Sequence, residues 1–152
     1  IDIAPTVLEY CGVPRPETMQ GRSLVPLLAG KTDRHRDEVY VEYSENEEAA
    51  LRTERWKFIY TTGKRERQDG YTTGRALPGR TLRLLDLEHD PDEMTNVAGR
   101  PENATRVAEF TQKLAEHLRR TARRPEQSPQ SGDVLTQIDA LLKPDDVPAP
   151  AR

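Results

Sequence analysis

Apolar residues near the start of the chain recur every three or four positions, the spacing of a helix that buries one side. The first such stripe predicts a helix from Asp2 to Cys11, with Asp2 as its N-cap. Gly12 fits the left-handed conformation that commonly follows a helix. A run of leucines predicts a second, shorter helix after Ser23. Both helices are too short to form a core alone, so they need a surface to pack against.

Between residues 38 and 87 the spacing changes to that of β-strands. Segments rich in β-branched and aromatic residues predict strands at 38–43, 49–53, 56–61 and 82–87. In the third strand, Trp56, Phe58 and Tyr60 alternate with other residues, which indicates one strongly apolar face. The tract 62–80, rich in glycine and charge, is predicted to be a long loop.

From Pro101 to about Arg120 the spacing is helical again. The apolar stripe consists of Val107, Phe110, Leu114 and Leu118. These elements predict an α+β fold, a small antiparallel sheet of three to four strands with one long C-terminal helix packed on a face. A weakly amphipathic segment, 134–142, follows a linker and precedes a tail predicted to be disordered.

Composition and charge exclude some classes of partner and indicate a small core. The 23 basic and 26 acidic residues give a net charge of −3, which argues against a nucleic-acid partner. No apolar run approaches the roughly 20 residues that cross a membrane, so no membrane partner is expected. Only 34% of the residues are hydrophobic, so the core is thin. Because the chain also begins with Ile1 rather than Met, the sequence predicts a fragment.

Cysteine and histidine residues offer little chemistry of their own. The single cysteine, Cys11, excludes an internal disulfide. Reactive thiols are favoured where helices begin, whereas Cys11 ends one, so it is expected to be a small buried residue. His89 lies beside the acidic segment 90–93, which is expected to be a turn rather than a metal loop. His117 lies on the polar side of its helix and is expected to be solvated.

Four short sequence motifs occur in a characteristic order and are followed by Asn96. They are Asp2-Ile3-Ala4-Pro5-Thr6, Met19-Gln20-Gly21-Arg22-Ser23-Leu24, Leu51-Arg52-Thr53-Glu54-Arg55-Trp56-Lys57-Phe58-Ile59-Tyr60 and Leu84-Leu85-Asp86-Leu87-Glu88-His89-Asp90-Pro91-Asp92-Glu93. Together they resemble the C-terminal portion of formylglycine-dependent sulfatases of the alkaline-phosphatase-like superfamily. The resemblance implies that 1–30 end a large α/β domain and that 31–124 form an α+β subdomain. The composition of 125–152, rich in Pro, Ser, Gln and Asp, predicts a linker and tail.

The resemblance also implies an activity for a longer protein. Such enzymes hydrolyse sulfate esters with a formylglycine nucleophile and a divalent metal, usually calcium. Both would belong to an N-terminal catalytic domain that these residues lack, so the chain alone is predicted to be inactive, with no cofactor of its own. The implied partners are that domain and a sulfated carbohydrate or another sulfate ester. Export to the periplasm or the cell exterior is implied in the same way.

Two regions are candidates for substrate contact in the complete enzyme. The acidic turn 44–48 contributes Glu45, Asn46 and Glu47, although a solvated turn is the simpler explanation of this segment. The long loop contributes Lys64 and Arg65 as cations for an anionic sugar, and Tyr71 as an aromatic platform. No catalytic or metal-binding residue is predicted within the chain.

Two other interpretations of the sequence stay open. One is a non-catalytic α+β module that binds a partner through Leu24, Leu27 and Leu28. The other is part of a phosphonate or phosphodiester hydrolase with the same fold.

Overall fold

The computed structural model describes residues 1–43, 46–64, 77–122 and 131–143. The chain divides into two compact units, Ile1–Asp37 and a second that begins at Glu38. The order of helices and strands confirms the α+β class. None of the helices in the described ranges combines the length and the apolar character needed to cross a lipid bilayer.

The second unit is built on a four-stranded antiparallel sheet. Its strands follow one another in space as they do in sequence, and they are β1 (Val39–Tyr43), β2 (Glu48–Arg52), β3 (Trp56–Thr61) and β4 (Thr81–Asp86). The register places Phe58 between Leu51 and Leu84 on the neighbouring strands. Side chains at paired positions lie on the same face, so these three fully buried residues form a continuous apolar row.

The long helix α3 packs against this row. It spans Ala104–Thr121 and follows a short 3₁₀ helix at Pro101–Asn103. Phe110, Leu114 and Leu118 of the predicted stripe are buried in the same core as the sheet residues. The ring of Phe110 meets that of Phe58 edge to face, with centroids 6.2 Å apart. The predicted helix and its buried side are therefore confirmed.

A further helix, α4, spans Val134–Leu141 within the amphipathic segment. It begins at Asp133, whose carboxylate accepts hydrogen bonds from the backbone N–H groups of the first turn. Ile138 is fully buried and belongs to the core that α3 and the sheet share. This helix lies within 125–152, the range that the composition assigned to a linker and tail.

The outer edge of β4 is covered by the segment around Asn96. The Asn96 side chain accepts a hydrogen bond from the Leu84 N–H at 2.9 Å and donates one to the Leu82 carbonyl at 3.1 Å. The Val97 N–H donates to the Leu84 carbonyl at 2.8 Å. One amide side chain thus replaces part of a fifth strand and satisfies backbone groups that an open edge would expose.

The first unit contains α1 (Ile3–Tyr10) and α2 (Val25–Leu28). Gly12 follows α1 with φ of +66°, as the sequence predicted. The predicted side-chain cap by Asp2 is wrong, because its carboxylate forms no cap hydrogen bond. It binds charged partners instead, which make stronger hydrogen bonds than neutral amides.

Three groups converge on the Asp2 carboxylate. The Arg22 N–H donates to it at 2.8 Å, the Arg36 Nε at 3.0 Å, and His35 Nε2 lies 3.0 Å away. The hydrogen bond from Arg36 is the main reason that the pKa of Asp2 lies well below its usual range. A residue before the first helix is thereby joined to the last residues of the first unit.

The apolar side of α1 is exposed. Ile3, Val7 and Tyr10 are 70%, 54% and 66% exposed, whereas Thr6 is buried. The Thr6 hydroxyl accepts a hydrogen bond from the Leu24 N–H at 2.9 Å, which holds the other side of α1 against the α2 segment. The expectation that Cys11 is buried is therefore wrong, because its side of the helix is the exposed one.

Candidate functional site

Two of the sequence-predicted contact regions meet at one end of the sheet. In an antiparallel meander, the connections after β1 and after β3 lie at the same end. Thr62 joins them, because its backbone N–H donates to the Glu47 carbonyl at 3.1 Å and its hydroxyl donates to Glu47 Oε2 at 2.6 Å. Asn46, Glu47 and Lys64 therefore share this sheet end. Glu45, Arg65 and Tyr71 lie outside the described residues.

Glu47 is held inside the turn rather than presented to solvent. Its side chain is buried, and its φ of +51° lies in the left-handed region, which few residues with a side chain adopt. The hydrogen bond from Thr62 satisfies the carboxylate in this position. Glu47 thus fixes the turn against the end of β3.

Asn46 has an unsatisfied polar atom. Its Oδ1 is buried and accepts no hydrogen bond from any of the described residues. A buried acceptor without a donor is destabilising, and most buried polar atoms in native proteins have a hydrogen-bond partner. A ligand or another polypeptide segment that donates an N–H or O–H would satisfy this atom.

Lys64 is one of three donors around Asp139 of α4. The Lys64 ammonium lies 2.8 Å from Asp139 Oδ2, and Arg80 Nη2 lies 2.7 Å from the same atom. The Tyr60 hydroxyl donates to Asp139 Oδ1 at 2.5 Å. The Asp139 side chain is only 10% exposed, whereas that of Lys64 is 61% exposed. The ammonium therefore keeps most of its surface available for a second anion.

The Asp139 cluster keeps fixed protonation states near neutral pH. Burial alone would raise the pKa of Asp139, but the hydrogen bonds from Arg80, Lys64 and Tyr60 outweigh it and lower the pKa to about 2. Burial and the bond to Asp139 both raise the pKa of Tyr60. A general acid or base needs a pKa near the working pH, so this cluster positions charge and does not transfer protons.

A groove of about 570 Å³ lies at the opposite end of the sheet, beside the start of α3. Trp56 forms part of its wall, and the guanidinium groups of Arg55 and Arg106 lie 4.8 and 4.1 Å from the centre of its ring. Its other polar lining residues include Asp86, His89, Asp90, Arg100, Glu102 and Asn103. Sequence analysis missed this groove, although Arg55-Trp56 and the arginines flanking the start of the helix are visible in the sequence.

One acidic cluster beside the groove resembles a metal site. Asp86, Glu88 and His89 each offer a ligand atom within 4.8 Å of the others. However, Arg55 forms ion pairs with both carboxylates, at 2.8 Å to Asp86 and 2.9 Å to Glu88. Its hydrogen bond is the main reason that the pKa of Asp86 is lowered to about 2. Calcium needs six to eight oxygen ligands, so a cluster of two carboxylates and a histidine, with both carboxylates already bound to a guanidinium, does not fit the cation.

The segment 90–93 is a turn, as predicted. Both carboxylate oxygens of Asp90 accept hydrogen bonds from backbone N–H groups, from Met94 at 3.2 Å and from Thr95 at 2.7 Å. Glu93 has a φ of +58°, which completes the reversal of the chain.

The surroundings of His117 also differ from the expectation based on the sequence. Its ring stacks on that of Tyr40 with centroids 4.0 Å apart, and its Nε2 lies 3.2 Å from Glu42. The side chain is only 16% exposed, so the expectation of a solvated histidine is wrong. The helix pattern could not show this, because the partners come from β1, which lies far away in sequence.

Known proteins that are similar to this chain indicate its family. The family model for the C-terminal part of N-sulphoglucosamine sulphohydrolase matches residues 1–121. The chain belongs to this sulphohydrolase C-terminal family. The match ends at the last residue of α3, so the family segment includes both short helices, the sheet and the long helix.

Relatives of this sulphohydrolase segment include sulfatases. Arylsulfatase K of Xenopus laevis is 32% identical over 127 residues, which cover 75% of the chain and 21% of that protein. N-acetylglucosamine-6-O-sulfatase of Bacteroides thetaiotaomicron is 31% identical over 126 residues, covering 76% and 20%. BT4656, solved in complex with its substrate D-glucosamine-2-N,6-O-disulfate, matches with a TM-score of 0.62 and 26% identity, covering 84% of this chain and 25% of that one.

These comparisons confirm the resemblance to sulfatases of the alkaline-phosphatase-like superfamily. The chain spans about a fifth of the length of the curated relatives it matches.

Proposed function

We propose that the chain serves as the C-terminal subdomain of a sulfuric-ester hydrolase. The observation that carries this proposal is the family match over residues 1–121, combined with the small share of each sulfatase relative that the chain covers. In this proposal, a catalytic domain before Ile1 supplies the nucleophile and the metal ligands. Residues 1–30 then end that domain, residues 31–124 form the subdomain, and 125–152 follow it.

The exposed side of α1 is the surface that we assign to the catalytic domain. Ile3, Val7 and Tyr10 expose more than half of their surface there, together with Ile1 at 84%. Water-exposed apolar side chains on one helix face favour burial against another surface. The catalytic domain is the occupant that fits, because the chain covers only about a fifth of the sulfatases that it matches.

The cofactors of this proposal belong to the same catalytic domain. A formylglycine and calcium would there supply a nucleophile and stabilise charge on the sulfuryl oxygens. Formylglycine in such sulfatases is made from the first residue of a C/S-x-P-S-R motif. Within the described residues, Cys11-Gly12-Val13-Pro14-Arg15 departs from that motif, and Arg55 occupies the Asp86 cluster. In this proposal the residues of the chain therefore take no catalytic role.

The sheet end with Asn46 and Lys64 is proposed to border the substrate cleft. Lys64 offers an exposed ammonium to a sulfate or carboxylate group, and Asp139 holds it in place. Asn46 Oδ1 is an unsatisfied acceptor but is buried, so a substrate hydroxyl or amide N–H would contact it only if the turn opened. Sulfated amino sugars carry both kinds of group, and two of the similar proteins act on or bind such sugars.

Replacing Lys64 with alanine in the intact enzyme is expected to raise the KM for N-acetylglucosamine 6-sulfate about fivefold. An exposed ion pair contributes up to about 1 kcal/mol, and it would be lost from substrate binding with little change in kcat. Steady-state kinetics measure both constants. Arg83→Ala, which removes an exposed cation from β4, is the control and should leave KM unchanged. An unchanged KM for Lys64→Ala would remove this sheet end from the cleft.

A further inference from the structure

The charges along the groove at the start of α3 are unevenly paired. On its strand side, Asp86 binds Arg55 through two hydrogen bonds of 3.0 and 2.8 Å, and it also contacts His89 Nδ1 at 3.1 Å. The Asp90 carboxylate accepts backbone hydrogen bonds. These groups on the strand side already have hydrogen-bond partners, so they do not need a ligand to satisfy them.

The helix side of the groove differs, because two guanidinium groups there lack a carboxylate. Among the described residues, Arg106 donates a hydrogen bond to Asn103 Oδ1 at 2.9 Å, and its Cζ lies 4.1 Å from the centre of the Trp56 ring. Arg100 makes no side-chain hydrogen bond or ion pair with any described residue. A guanidinium has five N–H donors, so most of those on Arg100 and Arg106 are unused.

We propose that this groove binds a small organic molecule that carries an oxyanion, which Arg100 and Arg106 hold. Guanidinium groups match the planar or tetrahedral oxygens of carboxylates, sulfates and phosphates better than any other side chain. A volume of about 570 Å³ exceeds what a bare anion needs and lies within the usual range of ligand sites. The remaining wall, with Trp56 and Val97, offers apolar contact for the body of the ligand.

Two further features decide in favour of an anion. The first turn of α3 contains no acidic residue, and Glu102 in the preceding 3₁₀ helix is the one carboxylate beside the positive end of its dipole. Glu102 is the one carboxylate among the groove residues on the helix side, against the two guanidinium groups of Arg100 and Arg106. The helix side therefore carries one net positive charge, whereas the strand side carries one net negative charge, from Asp86 and Asp90 against Arg55.

Trp56 gives a direct readout, because it is the only tryptophan of the chain. Titration of the chain with glucose 6-sulfate at constant ionic strength, set by sodium chloride, is expected to change Trp56 fluorescence in a saturable way. Inorganic sulfate and neutral glucose are titrated in parallel. Tighter binding of glucose 6-sulfate than of sulfate identifies an organic ligand, whereas equal binding overturns the organic part of the proposal. A response to glucose as strong as that to glucose 6-sulfate overturns the anion part.

Arg100→Gln is the decisive variant, since Arg100 touches neither the core nor the Trp56 ring in any described contact. It is expected to weaken binding of glucose 6-sulfate about tenfold, the usual effect of losing a charge-assisted hydrogen bond. Arg83→Gln removes an exposed arginine outside the groove and should leave binding unchanged. Circular dichroism checks that both variants fold. A folded Arg100→Gln chain with unchanged affinity, or a parent chain that gives no saturable response, would overturn the proposal.

Discussion

Replacing Phe58 with alanine is expected to lower the free energy of unfolding of the second unit by about 4 kcal/mol. Phe58 lies on the central strand β3 between Leu51 and Leu84, and it is fully buried beneath the Phe110 ring of α3. Truncation removes both the apolar contact and the edge-to-face ring pair, and it leaves a cavity that the sheet cannot close. Small domains are stable by roughly 5–15 kcal/mol, so this loss is severe.

Urea unfolding followed by Trp56 fluorescence measures this loss, because Trp56 lies in the same sheet. Phe58→Leu, which keeps most of the apolar volume, should lose only about 1 kcal/mol. Thr105→Ala changes an exposed position of α3 and should alter stability by less than about 0.5 kcal/mol. If Phe58→Ala lost no more than Thr105→Ala, the packing of α3 on the sheet would be contradicted.

Gly63→Ala is expected to destabilise the same unit by more than about 3 kcal/mol. Gly63 has a φ of +62°, where a residue with a side chain is strained by about 1 kcal/mol or more. A Cβ there would also lie 1.9 Å from the carbonyl oxygen of Gly79. Both residues are in the connection from β3 to β4, so the collision forces apart two backbone segments that support Lys64 and Arg80.

Gly79→Ala is the matched control, because Gly79 has a backbone conformation similar to that of Gly63 but has room for a Cβ. Gly79 has a φ of +73°, and a Cβ there would meet nothing within 4 Å. We expect Gly79→Ala to lower the free energy of unfolding by only about 1 kcal/mol, which is the cost of placing a residue with a side chain at positive φ. Urea unfolding of both variants separates the two causes. Equal losses would show that the close backbone approach at Gly63 contributes nothing.

The sheet and the long helix were predictable because local patterns determine them. The alternation of Trp56, Phe58 and Tyr60 indicated the buried face of β3, and the spacing of Phe110 and Leu114 indicated that of α3. In each case the periodicity of the backbone and the need to bury apolar surface point to the same arrangement. Such agreement between local and global requirements makes a prediction from one sequence reliable.

The side-chain partners were not predictable, because they come from distant parts of the chain. Asp2 binds Arg36 instead of capping its helix, and His117 stacks on Tyr40 instead of facing water. Asp139 receives Lys64 from across 75 positions of sequence. Spacing along one element says nothing about which charged groups another element brings near it.

The candidate site was predictable only in part, for the same physical reason. The sequence indicated that 44–48 and 62–80 could border a substrate, and the shared sheet end of Asn46 and Lys64 follows from the antiparallel order. The burial of Glu47 and its hydrogen bond with Thr62 required the tertiary structure. The same holds for the groove of Trp56, since its walls come from a strand turn and a helix start.

The central proposal is that this chain works as part of a sulfuric-ester hydrolase. Its most direct test is sulfate release from 4-nitrocatechol sulfate by the intact protein that contains this chain, measured beside the 152-residue chain alone. We predict sulfate release by the intact protein and none by the chain alone. Release by the isolated chain would contradict the proposal, as would an intact protein that cleaves phosphonate esters or phosphodiesters but no sulfate ester.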